Sequence, residues 1–184
     1  MQGASIFNSR VFRFFTLDFL NMSEHRRGAA CLSGAATVID GDTIIVAGER
    51  IRLHGIDAPE LEQTFQWRGK KIVCGTMSLA ALEALTAGVK VRCEVIERDR
   101  YGRLIAKCFS PNGIDIGRRL VSSGWALAYR QFSRDYVDAE TNARKAKRGM
   151  WRGHFEKPWV WRAAVASVGG GVMANRVGRR SGAR

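Results

Sequence analysis

Residues Arg52 to Glu60, R-L-H-G-I-D-A-P-E, bring a guanidinium and two carboxylates together where a strand ends. Period-two alternation puts Ile51 and Leu53 on one face of that strand and Arg52 and His54 on the other. Pro59 cannot donate to a sheet ladder, so the strand stops and leaves Asp57 and Glu60 at its end. Carboxylates beside a guanidinium are the groups that hold a divalent cation and a phosphate. A second segment, D-G-D-T at Asp40–Thr43, offers Asp42 from a hairpin turn. Alone it is an ordinary Asp-Gly turn. Together with Asp57 it makes an all-oxygen pair suited to Ca²⁺ or Mg²⁺, with no soft donor nearby. A third segment, D-R-Y-G-R at Asp99–Arg103, sets Arg103 after a Tyr-Gly turn. By itself it reads as a basic hairpin tip. With Arg52 it supplies two planar forks that can grip a phosphate and stabilise charge added to it in a transition state.

The elements that must position these groups are mainly strands. Thr37–Ile39, Thr43–Ala47 and Arg50–Ile56 are short β-rich runs separated by Asp40-Gly41 and by Ala47-Gly48-Glu49, both hairpin signals. Thr76–Ala87 repeats leucine at spacing three (Leu79, Leu82, Leu85) and is stopped by Gly88, which predicts a helix. Val89–Ile96 and Leu104–Phe109 return to strand character. Ile114–Ser123 and Arg134–Arg148 read as two more helices, closed by Gly124 and Gly149. Five strands, one helix inserted after the third and two helices at the end predict an α+β fold: a five-stranded oligonucleotide-binding (OB-fold) β-barrel capped by three helices. The domain spans 35–162. Residues 1–34 are expected as a peripheral N-terminal extension and 163–184 as a basic, Gly/Arg-rich disordered tail.

The chain has 184 residues with 30 basic and 17 acidic side chains, net +13, and its central part stays basic when both ends are set aside. Such a balance points to a polyanion as partner. Cys31, Cys74, Cys93 and Cys108 form no C-x-x-C pair, which argues against a zinc site. Cys93 and Cys108 fall on adjacent strands, either as a disulfide across a hairpin or as two small core thiols; both readings stay open. No run reaches the ~18 apolar residues that span a bilayer. Ile6–Leu20 is interrupted by Asn8, Arg10, Arg13 and Asp18, a poor signal-peptide core, and Met22 is an alternative start.

On the three motifs D-G-D-T, R-L-H-G-I-D-A-P-E and D-R-Y-G-R, in this order and spacing, the chain resembles the staphylococcal-type thermonuclease family over about residues 35–162. The run Leu120–Tyr129 and the basic last helix extend the likeness. What the resemblance implies is a calcium-dependent endonuclease, a phosphodiesterase acting on DNA and RNA. Asp42 and Asp57 match its Ca²⁺ carboxylates, and Ala58 matches the position giving a backbone carbonyl. Glu60 matches the residue that positions or deprotonates water, Arg52 and Arg103 the two phosphate-gripping arginines, and Tyr101 and Tyr129 the aromatics lining the nucleotide pocket. The resemblance implies no stable protein partner, so a monomer is expected. It points to export, although Phe65 stands where exported relatives carry a cysteine, leaving Cys74 without a partner. The segment between Glu60 and the first helix reads as compact, so any flexible loop there is expected to be short. A non-catalytic binding domain on the same fold should have lost at least one of the five charged site residues, and all are present.

Overall fold

The computed structural model describes residues 30–177. Five strands close into a barrel in the order β1-β2-β3-β8-β7: β1 (Cys31–Val38), β2 (Thr43–Val46), β3 (Glu49–Leu53), β7 (Lys90–Arg98) and β8 (Leu104–Phe109). All pairings are antiparallel except β3 with β8, which run parallel with Arg52 opposite Ile105. The β2–β3 turn is made by Ala47 and Gly48, both at positive φ, the geometry of a two-residue hairpin whose twist matches its strands. Alternate residues point inward, so Ile44, Val46, Ile51, Leu53, Val91, Leu104 and Ala106 fill the barrel. Cys93 and Cys108 face each other across β7 and β8, with Cα atoms 4.1 Å apart, and are joined as a disulfide. Cys74 is a free, buried thiol, pushed up to about 11 by its burial.

Four helices pack outside the barrel: α1 (Cys74–Thr86), α2 (Ile116–Ser123), α3 (Val137–Lys145) and α4 (Pro158–Val177). The barrel and the first three match the sequence expectation, with α1 starting two residues earlier and ending one earlier than expected, and α2 and α3 trimmed by two or three residues at one or both ends. Asp115 caps α2 by accepting from the Arg118 N–H, and Gly124 ends it in the left-handed region. The pair β4 (Ile56–Asp57) and β9 (Leu127–Ala128) ties the end of the Arg52 strand to the segment after α2.

The structure departs from or adds to the sequence expectation in three places. The first barrel strand begins at Cys31, inside the segment assigned to the N-terminal extension, because Cys31–Ala35 pair with Lys90–Glu94 of β7. The stretch after Glu60 holds a hairpin, β5 (Thr64–Trp67) and β6 (Lys70–Val73), turned at Arg68-Gly69 and extended by β10 (His154–Phe155). Third, α4 runs through residue 163 to Val177, where a disordered tail was expected; Pro158 opens it and Trp159 anchors it against a second core of Phe65, Cys74, Leu127 and Met150. The N-terminal extension up to residue 29, including Met22, and residues 178–184 lie outside the described residues. No described helix is long and apolar enough to cross a membrane.

Candidate active site

Small residues let the three motif segments converge. A Cβ at Gly41 would lie 2.2 Å from Ser78 Oγ and 2.7 Å from Ala58 Cβ, so the Asp40–Asp42 turn can press onto α1 and the Asp57–Pro59 corner. A Cβ at Gly75 would lie 1.9 Å from the Glu60 carbonyl oxygen, so the first turn of α1 packs on the Glu60 peptide itself. The Arg52 strand brings its guanidinium up beside the turn because Thr43 and Arg52 are register partners.

The charged groups then form one cluster. Asp42 is buried; its Oδ1 accepts from Arg52 Nη1 at 3.0 Å and Thr43 Oγ1 at 3.2 Å, and its Oδ2 accepts from the Ala58 N–H at 3.0 Å. Asp57 is fully buried, and its Oδ1 accepts from Arg52 Nη2 at 2.6 Å. Arg52, assigned to phosphate in the sequence reading, thus spends both Nη atoms bridging the two carboxylates assigned to metal. Burial pushes the Asp42 carboxyl up to about 7, opposed by the Arg52 charge. Burial also works against the Arg52 charge, but Asp42 and Asp57 override it and raise its affinity for the proton.

Arg162 was missed by the sequence reading. From the first turns of α4 its Nη1 donates to Glu60 Oε1 at 2.8 Å, and its Nη2 donates to Asp57 at 2.9 and 3.1 Å. Burial disfavours its charge, yet the bonds to Glu60 and Asp57 hold its pKa above the ordinary arginine value. Residue 162 sat at the last position of the expected domain, and no motif marks it. Gln63 was also missed. Fully buried, it accepts the Glu60 N–H on Oε1 at 3.3 Å and donates from Nε2 to the Glu156 carbonyl at 2.6 Å. Its own backbone carbonyl receives the Cys74 N–H at 2.8 Å. It therefore pins the Glu60 loop to α1 and to the segment leading into α4. A buried glutamine in an otherwise exposed polar run has no signature in sequence.

Arg103 and Tyr101 come from the β7–β8 turn. Asp99 organises that turn, accepting the Tyr101 and Arg103 N–H groups on Oδ1 and the Arg103 side chain on Oδ2 at 2.8 Å. Desolvation opposes the Asp99 charge, but these bonds, Arg103 foremost, hold its carboxyl below the usual range. Tyr101 is exposed, with Arg103 5.6 Å from its ring centre. Asp42, Arg52, Ala58, Glu60, Tyr101, Arg103, Tyr129 and Arg162 all line one cleft of about 850 Å³. Asp57 lies behind that wall, covered by the two guanidiniums. Among the described residues, no group of three or more His, Cys, Asp or Glu side chains is arranged to hold a metal ion. The protein donors available to a cation are therefore two carboxylates and nearby backbone.

Comparison with known proteins places this arrangement. The family described as Staphylococcal nuclease homologue matches residues 50–153. The chain is similar to the succinoglycan biosynthesis protein ExoI of Rhizobium meliloti (strain 1021), 42% identical over 149 residues that cover 79% of this chain and 75% of the relative. It is similar to an uncharacterized endonuclease of Escherichia coli O157:H7, 36% identical over 132 residues, 68% of this chain and 80% of the relative. It is also similar to a micrococcal nuclease of Shigella flexneri, 31% identical over 144 residues, 69% of this chain and 78% of the relative.

Proposed function

The chain belongs to the family of staphylococcal nuclease homologues and is a hydrolytic nuclease acting on nucleic acid, and on that premise we propose that it hydrolyses phosphodiester bonds of both DNA and RNA in a calcium-dependent reaction at the Asp42–Glu60 cluster. Asp42 and Asp57, with the Ala58 carbonyl, hold the ion. The donor set fits: hard oxygens only, one carboxylate fully buried, both drawing cations already and one pushed up to about 7 by burial. Two protein carboxylates and a backbone carbonyl would leave the remaining positions to water and substrate, which hard divalent cations accept. Bound there, Ca²⁺ supplies charge against the phosphate and favours attack by water.

The rest falls to the chain's own groups. Arg52 and Arg103 grip the scissile phosphate and stabilise its added charge, Arg52 once the carboxylates it bridges have another cation. Glu60 orients the attacking water and accepts its proton at a carboxylate oxygen. Tyr101 and Tyr129 line the nucleotide. The observation that carries the reading is that Asp42, Arg52, Asp57 and Glu60 form one ion-paired cluster facing Arg103 across a single cleft.

Digestion of single-stranded DNA and of RNA, with Ca²⁺ and with chelator, tests it. Cleavage of both polymers with Ca²⁺ and none in chelator is expected; cleavage that persists in chelator refutes the ion's role. Glu60→Ala and Arg103→Ala should each slow cleavage by about 10²–10³, the size of losing one preorganised transition-state donor. Near-full activity of Glu60→Ala would remove its assigned role.

A further inference from the structure

A second cavity, of about 570 Å³, adjoins the catalytic cleft at Tyr129, which forms part of both walls. Its other principal residues are Arg130, Arg144, Trp151, Lys157 and Trp159. Tyr129 and Trp159 stack with ring centres 5.4 Å apart and planes 23° from parallel. Phe132, well exposed on the catalytic side, lies 5.0 Å from Tyr129. The three rings make a continuous aromatic row running out of the catalytic cleft and into the second cavity.

Cations flank this row. Lys157 Nζ lies 5.4 Å from the Trp159 ring centre, and the Arg144 guanidinium lies 5.8 Å from that of Trp151. Arg130 reaches Glu140 at 2.8 Å, and Glu140 also accepts the Ala128 N–H, so the one carboxylate of the wall is already satisfied. Arg144 and Lys157 are exposed and stand over aromatic faces. Aromatic faces in series beside cations that have no carboxylate partner among the described residues recognise an unpaired polynucleotide: bases stack on the rings while the cations follow the phosphates. A duplex keeps its bases stacked on each other and offers no free face to this row.

We infer that the second cavity is a nucleotide subsite for single-stranded substrate. It takes the base and phosphate of a nucleotide flanking the one held in the catalytic cleft, with Trp159 as stacking platform and Arg144 and Lys157 as phosphate contacts. Lys157 and Trp159 lie beyond residue 153, where the family match ends, whereas Tyr129, Arg144 and Trp151 lie within it, so the subsite joins the matched region to the segment that follows it. It rests on the nuclease reading, since it extends the path of that substrate.

Binding in chelator, where no cleavage is expected, isolates the subsite. Fluorescence anisotropy with end-labelled oligothymidylates of two and eight nucleotides measures how affinity grows with length. Trp159→Ala should weaken octamer binding by about 5- to 150-fold, the loss of one stacked base, and should weaken the dinucleotide much less. Trp159 also packs in the second core, so Arg144→Gln/Lys157→Gln, at two exposed positions, gives an independent arm. This double variant should reduce the slope of log affinity against log salt by about 1.4, at about 0.7 per phosphate contact on single strands. Octamer binding and salt slope unchanged in the double variant overturn the subsite. So does an equal loss for both oligonucleotides with Trp159→Ala. Wild-type protein that binds the octamer through these residues but leaves it uncut with Ca²⁺ keeps the subsite and refutes the calcium-dependent chemistry instead.

Discussion

Replacing Arg162 with alanine should act in opposite directions on stability and on cation binding. In the cation-free protein the guanidinium makes one bond to Glu60 and a forked contact to Asp57. The Glu60 half is half-exposed at both ends (37% and 41%), and such pairs contribute about 0.2–1 kcal/mol. The Asp57 carboxylate is fully buried, and a bond to a charged group there contributes about 1.5–3 kcal/mol. Because Arg162 keeps more than a third of its surface in water, the lower end applies, and because Asp57 retains Arg52 it is not left uncompensated. The total is about 1.7 kcal/mol, or a fall of about 3–7 °C in Tm for a domain of this size. A cation reaching Asp57 must first displace Arg162, since Asp57 has no surface in the cleft. The same interaction therefore subtracts from the affinity for Ca²⁺, and removing it should tighten binding by about tenfold. Thermal unfolding in chelator and calorimetric titration with Ca²⁺ measure the two effects on one sample. An arginine that merely braces α4 would lower both quantities. Lower Tm with unchanged or weaker Ca²⁺ binding refutes the displacement.

Two further outcomes follow from the buried polar groups around the cluster. Gln63→Leu keeps the side-chain volume but strands the Glu60 N–H and the Glu156 carbonyl. Two groups at about 1–3 kcal/mol each bound the cost at about 2–6 kcal/mol, and because both bonds are only part-buried the lower end, about 2 kcal/mol, applies; cleavage should slow as the Glu60 loop loosens, and wild-type turnover in this variant would show that Gln63 positions nothing. Asp42 sets a pH dependence. Its folded-state pKa, about 7, lies above the ordinary 3.8, so the folded protein holds a proton that the unfolded chain has released. Stability in chelator is therefore greatest below the ordinary value and is lost as pH rises from about 4 to 7. Asp42→Asn should flatten that slope in unfolding melts taken across the window, and an equal slope in both proteins assigns it to another group.

The barrel was legible because its signals are local. Period-two runs at Thr43–Ala47 and Arg50–Ile56 bounded by Asp-Gly and Ala-Gly, and the leucines at spacing three before Gly88, each specify an element without help from the rest of the chain. What escaped was set by pairing at a distance. Cys31–Ala35 has mixed composition and becomes a strand because β7 offers it an edge. The β5–β6 hairpin carries Lys70 and Lys71 and gains its hold from β10, roughly 90 residues away in sequence. The Gly-rich stretch of α4 reads as disorder by composition, yet the helix is seeded by Pro158 and docked by Trp159 before that stretch begins.

The same division runs through the candidate site. Spacing alone delivers Asp42, Arg52, Asp57, Glu60 and Arg103, since each motif is a turn or strand end that presents its charge whatever else the chain does. Spacing cannot say which charge neutralises which. A fully buried Asp57 has to be paired, and one arginine five residues away is not enough when that arginine is shared with Asp42. The second cation comes from residue 162, outside every motif, on a helix docked by Trp159 and preceded by a segment that Gln63 ties to the Glu60 loop. Arg162 thus gives the buried Asp57 its second cation partner. That makes the C-terminal helix part of the site, although the family pattern ends before it begins.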